Sequence, residues 1–324
     1  MMNYDIFLEV VKEKFLDFLP KQYQNGKVVI SKVDKVNRTL DGLSVLFQDS
    51  SKISPNLYVN QMYEHYLETE DFEMVLQEAA NSYAKHLEIA KEAAPDINLQ
   101  NMKDNVVFTL INTEQNKDLL ENIPHRPFQD LSVMFRWVVS QDERGISSAI
   151  VNNSMMEQAG LTPETLMKHA IENTKKLCPV SVCSMEEVLL KTEFQEMGRE
   201  FLDTLFGKER DPKETMWIIS NERGINGAAS ILYEENLRKL AEKVGTDLYL
   251  LPSSIHECIA VSVEMGTPEE LSKMVQEVNM QQVSLEERLS NNVYHYDKEL
   301  RKVTMATDTP NKRLDGIVAE TDNH

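Results

Sequence analysis

The sequence predicts an α+β fold, with a mixed or antiparallel sheet built from hairpin-plus-helix units and flanked by several helices. Three observations lead there. In "LSVMFRWVVS", Leu131, Val133, Phe135, Trp137 and Val139 alternate with Ser132, Met134, Arg136, Val138 and Ser140, the period of two that a strand requires. Two segments, "WVVSQDERGISSAIV" from Trp137 and "WIISNERGINGAASIL" from Trp217, both read as a strand, a Glu-Arg-Gly turn and a small-residue return strand, which leaves an internal duplication open. Each is followed by a helix that stops at a glycine, Gly160 or Gly245.

From the start of the chain, Ile6, Phe7, Val10, Val11, Phe15, Phe18 and Leu19 recur at helical spacing and predict an amphipathic helix closed by Pro20. "GKVVISKVDKVNRTLDGLSVLFQ" predicts short strands with a turn at Asp41-Gly42. The stretch from Tyr63 to Leu76 is helical, and Tyr58, Tyr63 and Tyr66 serve either as core or as a stacking platform. "NVVFTLI" is a strand, and "NKDLLENIPHRPF" is a short helix running into a proline-bounded connection. Thr162 with Pro163, and Thr267 with Pro268 and Glu270, mark two helix starts, the second with a capping box. Leu271, Met274, Val275 and Val278 are expected on its buried face. "SMEEVLLKTEFQEMGREFLDTLFG" is a long helix ended by Gly207, and "DLYLL" and "CIAVSV" are paired strands. The chain is expected to divide into an N-terminal α+β region (1–125), a region with two hairpin-helix units (126–303) and a disordered tail (304–324).

No window approaches the roughly 18 uninterrupted apolar residues of a membrane span, and the N-terminus carries no basic leader. Three cysteines fall short of a disulfide framework, so the expected setting is a reducing cytoplasm. "CPVSVC" lacks the second pair that a zinc site needs. The net charge of −19 comes from residues after 60, since residues 1–60 hold seven acids and eight bases. Such a surface repels nucleic acid and anionic membranes. With no Gly-x-Gly-x-x-Gly and no Walker loop, nothing supports a bound nucleotide, and no cofactor is expected.

"LPSSIHE" is the one stretch whose residue types invite a catalytic reading. Ser253 or Ser254, His256 and Glu257 are the components of a serine hydrolase, but triad members ordinarily come from separate elements, and no G-x-S-x-G elbow occurs. Nor is it a zinc motif, because Ala260 stands where H-E-x-x-H needs histidine. The competing readings are a turn between two strands, capped by the serine hydroxyls, and a recognition loop. His65, His86 and His169 lie singly on helices. His125 and Arg126 sit in the "PHRPF" connection, where Arg126 has the chemistry to grip a carboxylate or phosphate.

The ordered series "ISPNLYVNQMYEHY", "LINTEQNKDLL", "PHRPFQDLSVMFRWVV", "LTPETLMKHAIENT", "LPSSIHE" and "VQEVNMQQVSLEERLSNNVYHYD" resembles a family of intracellular proteins from gut-dwelling clostridial bacteria, a domain of unknown function. The resemblance covers about residues 5 to 300. It implies no activity and carries over no catalytic residue. Its members look like accessory genes, which favours an interaction role. The expected function is therefore non-enzymatic binding or regulation, with a protein partner favoured over nucleic acid and no membrane. The expected binding surface combines Ser253, Ser254 and His256 with Glu277 and Asn279. The alternatives are a hydrolase using Ser253, Ser254, His256 and Glu257, and an acidic nucleic-acid mimic.

Overall fold

A computed structural model describes residues 1–47, 55–92, 98–142, 145–192, 211–307 and 314. The chain divides into two compact units, Met1–Ile97 and Asn98–His324. The break therefore falls well before the expected 125, because residues after 98 already supply a strand to the second unit's sheet.

In the N-terminal unit, helix α1 (Tyr4–Phe18) starts where the Asn3 side chain accepts from the Ile6 N–H, and it buries Phe7, Val11 and Phe15. Strands β1 (Lys27–Lys35) and β2 (Arg38–Leu46) form an antiparallel hairpin that pairs Lys35 with Arg38. The turn is thus Val36-Asn37, not the expected Asp41-Gly42. Asn37 takes φ 64°, a left-handed conformation that asparagine tolerates. Asp41 instead lies inside β2, where its carboxylate receives Tyr4 OH at 2.6 Å and Lys32 Nζ at 2.8 Å. Strand β3 (Leu57–Tyr58) adds to β2, and helix α2 (Val59–Thr69) ends at Glu70, which turns left-handed before helix α3 (Phe72–Glu92). Tyr66 is core, stacked on Phe7 with ring centres 5.3 Å apart.

The second unit holds two antiparallel sheets. In the first, β6 (Leu131–Asp142) is central, with β4 (Val106–Asn112) along one side. Strands β5 (His125–Phe128) and β7 (Gly145–Ile150) share its other side. The proline-bounded connection is therefore a strand. Pro127 fits because β5 is an edge, where its missing N–H costs no ladder bond. A short helix α4 (Met102–Asn105) precedes β4, and α5 (Lys117–Glu121) and α6 (Asn153–Gln158) are equally brief. The free side of β4 is covered by α7 (Pro163–Leu177), whose Thr174 hydroxyl accepts from Phe108 N–H and whose Asn173 amide donates to Val106 O.

The second sheet runs β13-β12-β10-β11-β9-β8, every neighbour antiparallel. Its strands are β8 (Val180–Ser184), β9 (Trp217–Asn221), β10 (Leu248–Leu251), β11 (Cys258–Ser262), β12 (Tyr294–Asp297) and β13 (Lys302–Met305). Helix α8 (Met185–Thr192) opens the expected long helix, and residues 193–207 of that expectation lie outside the described ones. The predicted return strand after Trp217 does not form. "GAASIL" is a 3-10 helix, Gly227–Leu232, that packs as small buried residues, and only the Trp137 segment is a hairpin. Helix α9 (Glu234–Val244) then ends at Gly245 with φ 83°.

Helix α10 (Pro268–Gln282) has the predicted Thr267–Glu270 capping box, but Met274 and Val278 are exposed, and Ser272 and Asn279 take their place inside. One apolar cluster joins the two sheets, including Leu110, Phe135 and Trp137 from the first and Ile219, Leu248 and Tyr294 from the second. The expected tail from 304 is corrected in part. β13 runs to Met305, and Leu314 is buried, with Arg288 donating to its carbonyl oxygen at 2.8 Å. Its remaining residues, 308–313 and 315–324, lie outside the described ones.

Candidate functional site

Residues 252–257 connect β10 to β11, which pair from Leu251 opposite Ile259. Ser254 is buried, and its hydroxyl accepts from the His256 N–H at 3.0 Å, the local side-chain bond that a serine turn favours. The loop is further tied to the chain before β12. Ile255 N–H donates to Glu287 O, Leu289 N–H to Ser253 O, and Ser290 N–H to Pro252 O, at 2.8 to 2.9 Å.

Both ring nitrogens of His256 have partners other than the serines. Its Nδ1 accepts from Asn226 N–H at 3.3 Å, and its Nε2 lies 3.4 Å from a Glu287 carboxylate oxygen. Its imidazole makes no hydrogen bond with either serine hydroxyl, so the hydrolase dyad is not assembled in this arrangement. Glu257 is half-buried, and burial, helped by the nearby Glu287, lifts its carboxyl above the usual range despite His256. The carboxylate at ion-pair distance from the imidazole is a different one. That carboxylate belongs to Glu287.

The two expected residues on α10 separate. Asn279 is almost fully buried, its amide donating to Ser290 O at 3.0 Å and Asn291 Oδ1 at 2.7 Å, while its own Oδ1 is buried without a partner. It is joined to the turn through Ser290. Glu277 is exposed on another face of the helix and does not share this network.

Sequence reasoning missed a cavity that adjoins this turn through the 221–226 loop. It holds about 90 Å³ and is walled by β4 and β6, by the end of α7 and by residues 221–230. Asn226, the residue that donates to His256, is part of its lining. Gly227 makes this approach possible, since a Cβ there would stand 2.1 Å from Ser220 Oγ and 2.6 Å from His256 O.

Two arginines reach this cavity. Arg136, half-buried on β6, donates from Nε to Ser148 Oγ at 3.0 Å and weakly from Nη2 to Ser148 O, and among the described residues no carboxylate meets it. Burial pulls its guanidinium below the ordinary value. Arg223 is exposed in the 221–226 loop, where its charge opposes the burial that raises the Cys178 thiol. The sequence did carry a signal, because Arg136 is the single charge in "LSVMFRWVVSQ". Among the described residues, no group of three or more histidines, cysteines, aspartates and glutamates is placed to hold a metal ion.

The profile of a family of unknown function, DUF5688, matches residues 4–298. The chain belongs to this family. Neither a curated protein nor a solved structure matches it. DUF5688 membership thus spans both units, and the residues of the 252–257 turn and the cavity all lie within the matched range.

Proposed function

We propose that the protein acts by reversible binding, without covalent chemistry, at the end of the second unit where the 221–226 loop and the 252–257 turn meet. The observation that carries this is the commitment of His256. One ring nitrogen accepts from Asn226 and the other faces Glu287, so the histidine serves to fix a loop that walls a cavity. A general base would need the serine hydroxyl within hydrogen-bond reach.

The excess of acids over bases argues against nucleic acid as the ligand, and favours a protein partner or a small molecule. No described helix is long and apolar enough to cross a membrane. Three free cysteines fit a reducing compartment, which makes the cytoplasm the natural place of action.

A fluorophosphonate probe tests the absence of covalent chemistry. The folded protein is expected to stay unlabelled at Ser253 and Ser254. Stoichiometric labelling that disappears in both Ser254→Ala and His256→Ala would overturn the binding reading in favour of the hydrolase.

A further inference from the structure

The cavity also constrains what it takes. A guanidinium has five N–H donors, and Arg136 spends two of them on Ser148. The others have no acceptor among the described residues. By contrast, Arg301 pairs with Glu234 and Arg238 with Glu242. A half-buried cation held without its anion is costly, and here two arginines border one cavity with no acid in its lining. The free Nη edge of Arg136 has the fork geometry that matches a planar carboxylate with two parallel hydrogen bonds.

The rest of the lining sets the charge and the body of the ligand. Three backbone amides beside the cavity are already used: Phe108 N–H on Thr174, Arg223 N–H on Asn221 and Asn226 N–H on His256. One inner cation balances one negative charge. Phe108, Val138 and Ile225 offer apolar surface beside it, and about 90 Å³ has room for a short chain or a small ring edge.

We propose that this cavity is the binding site of a small organic acid, with its carboxylate gripped by Arg136, its short apolar body on Phe108, Val138 and Ile225, and Arg223 guarding the rim. This rests on the binding reading above and adds the ligand's chemistry to it.

Calorimetric titration of the full chain with butyrate, benzoate, inorganic phosphate and butylamine tests it. Butyrate or benzoate should bind with one-to-one saturation, and Arg136→Met should weaken that binding at least about tenfold. The ligand-free melting temperature of this variant should not fall, because an unpaired, partly desolvated charge has been removed. Carboxylate binding equal to wild type in Arg136→Met would overturn the proposal. If that variant does not fold, Arg223→Glu on the exposed rim should weaken carboxylate binding by about fivefold or more, and an unchanged affinity would equally overturn the proposal. Binding of phosphate or butylamine with silent carboxylates would reject the organic acid and leave the binding reading standing. Silence from all four probes would reject the organic acid, while the binding reading stands or falls on the fluorophosphonate labelling above.

Discussion

Gly227 stands where three polar groups converge, and any side chain would collide with Ser220 Oγ, Asn221 N and His256 O. Two of those atoms are backbone, so relief requires the loop itself to move. Gly227→Ala is expected to destabilise the fold by about 1–3 kcal/mol, read by urea denaturation, and to displace Asn226 from His256. Asp130 poses the complementary case of an acid held by neutral donors. It accepts from Tyr294 OH, from Ser290 Oγ at 2.7 Å and from Asn292 Nδ2 at 3.0 Å. Removing it takes the shared acceptor from three donors, all on almost fully buried residues. Asp130→Ala should therefore cost about 2–4 kcal/mol, and a loss below 1 kcal/mol in denaturant titration would show the cluster to be well solvated. Neither residue is conspicuous in the sequence, because the partners lie far along the chain.

Among elements, those set by neighbouring residues were legible. The helix start at Thr162, the capping box at Thr267, the alternation of β6 and the β10–β11 pair follow from spacing alone, and all are present. Those decided by distant packing were not. The second Trp-containing segment has hairpin chemistry, yet β9 finds partners in β8 and β11, and its would-be return strand coils as a 3-10 helix. The cavity was equally hidden, since Arg136 and Arg223 come together only once two sheets have formed.

One strap between elements makes a pH prediction. Glu234, at the start of α9, receives Arg301 Nε at 2.8 Å and Tyr296 OH at 2.7 Å. The hydrogen bond from Arg301, then that from Tyr296, lowers its carboxyl from 4.5 to about 2. A carboxyl depressed on folding stabilises fully above its unfolded value and loses that contribution as pH falls through the folded one. The stability gap between wild type and Glu234→Gln should therefore be constant above pH 4.5 and close as pH drops towards about 2. A gap that does not change over this range would show that the strap carries no linked proton. Because the pair is on the surface, added salt should narrow the gap as well.

For the whole molecule, the way each unit encloses its own core makes a claim about autonomy. Residues 1–97 enclose Phe7, Phe15, Tyr66 and Tyr83, and the apolar cluster spanning both sheets of the second unit draws on residues after 98 alone. Expressed apart, 1–97 and 98–324 should each melt cooperatively in calorimetry, and a broad, non-cooperative melt of either would show that it depends on the other. Splitting the chain at 125 instead should fail, because it tears β4 from β6.

The way α7 covers β4 has a consequence for how copies of this protein meet. Strands left open invite another molecule to zip on, the first step towards fibrous deposits. Thr174 and Asn173 occupy the hydrogen-bonding groups through which such recruitment would start. Two ordinary polar side chains thereby close that stretch of β4 to the addition of another strand.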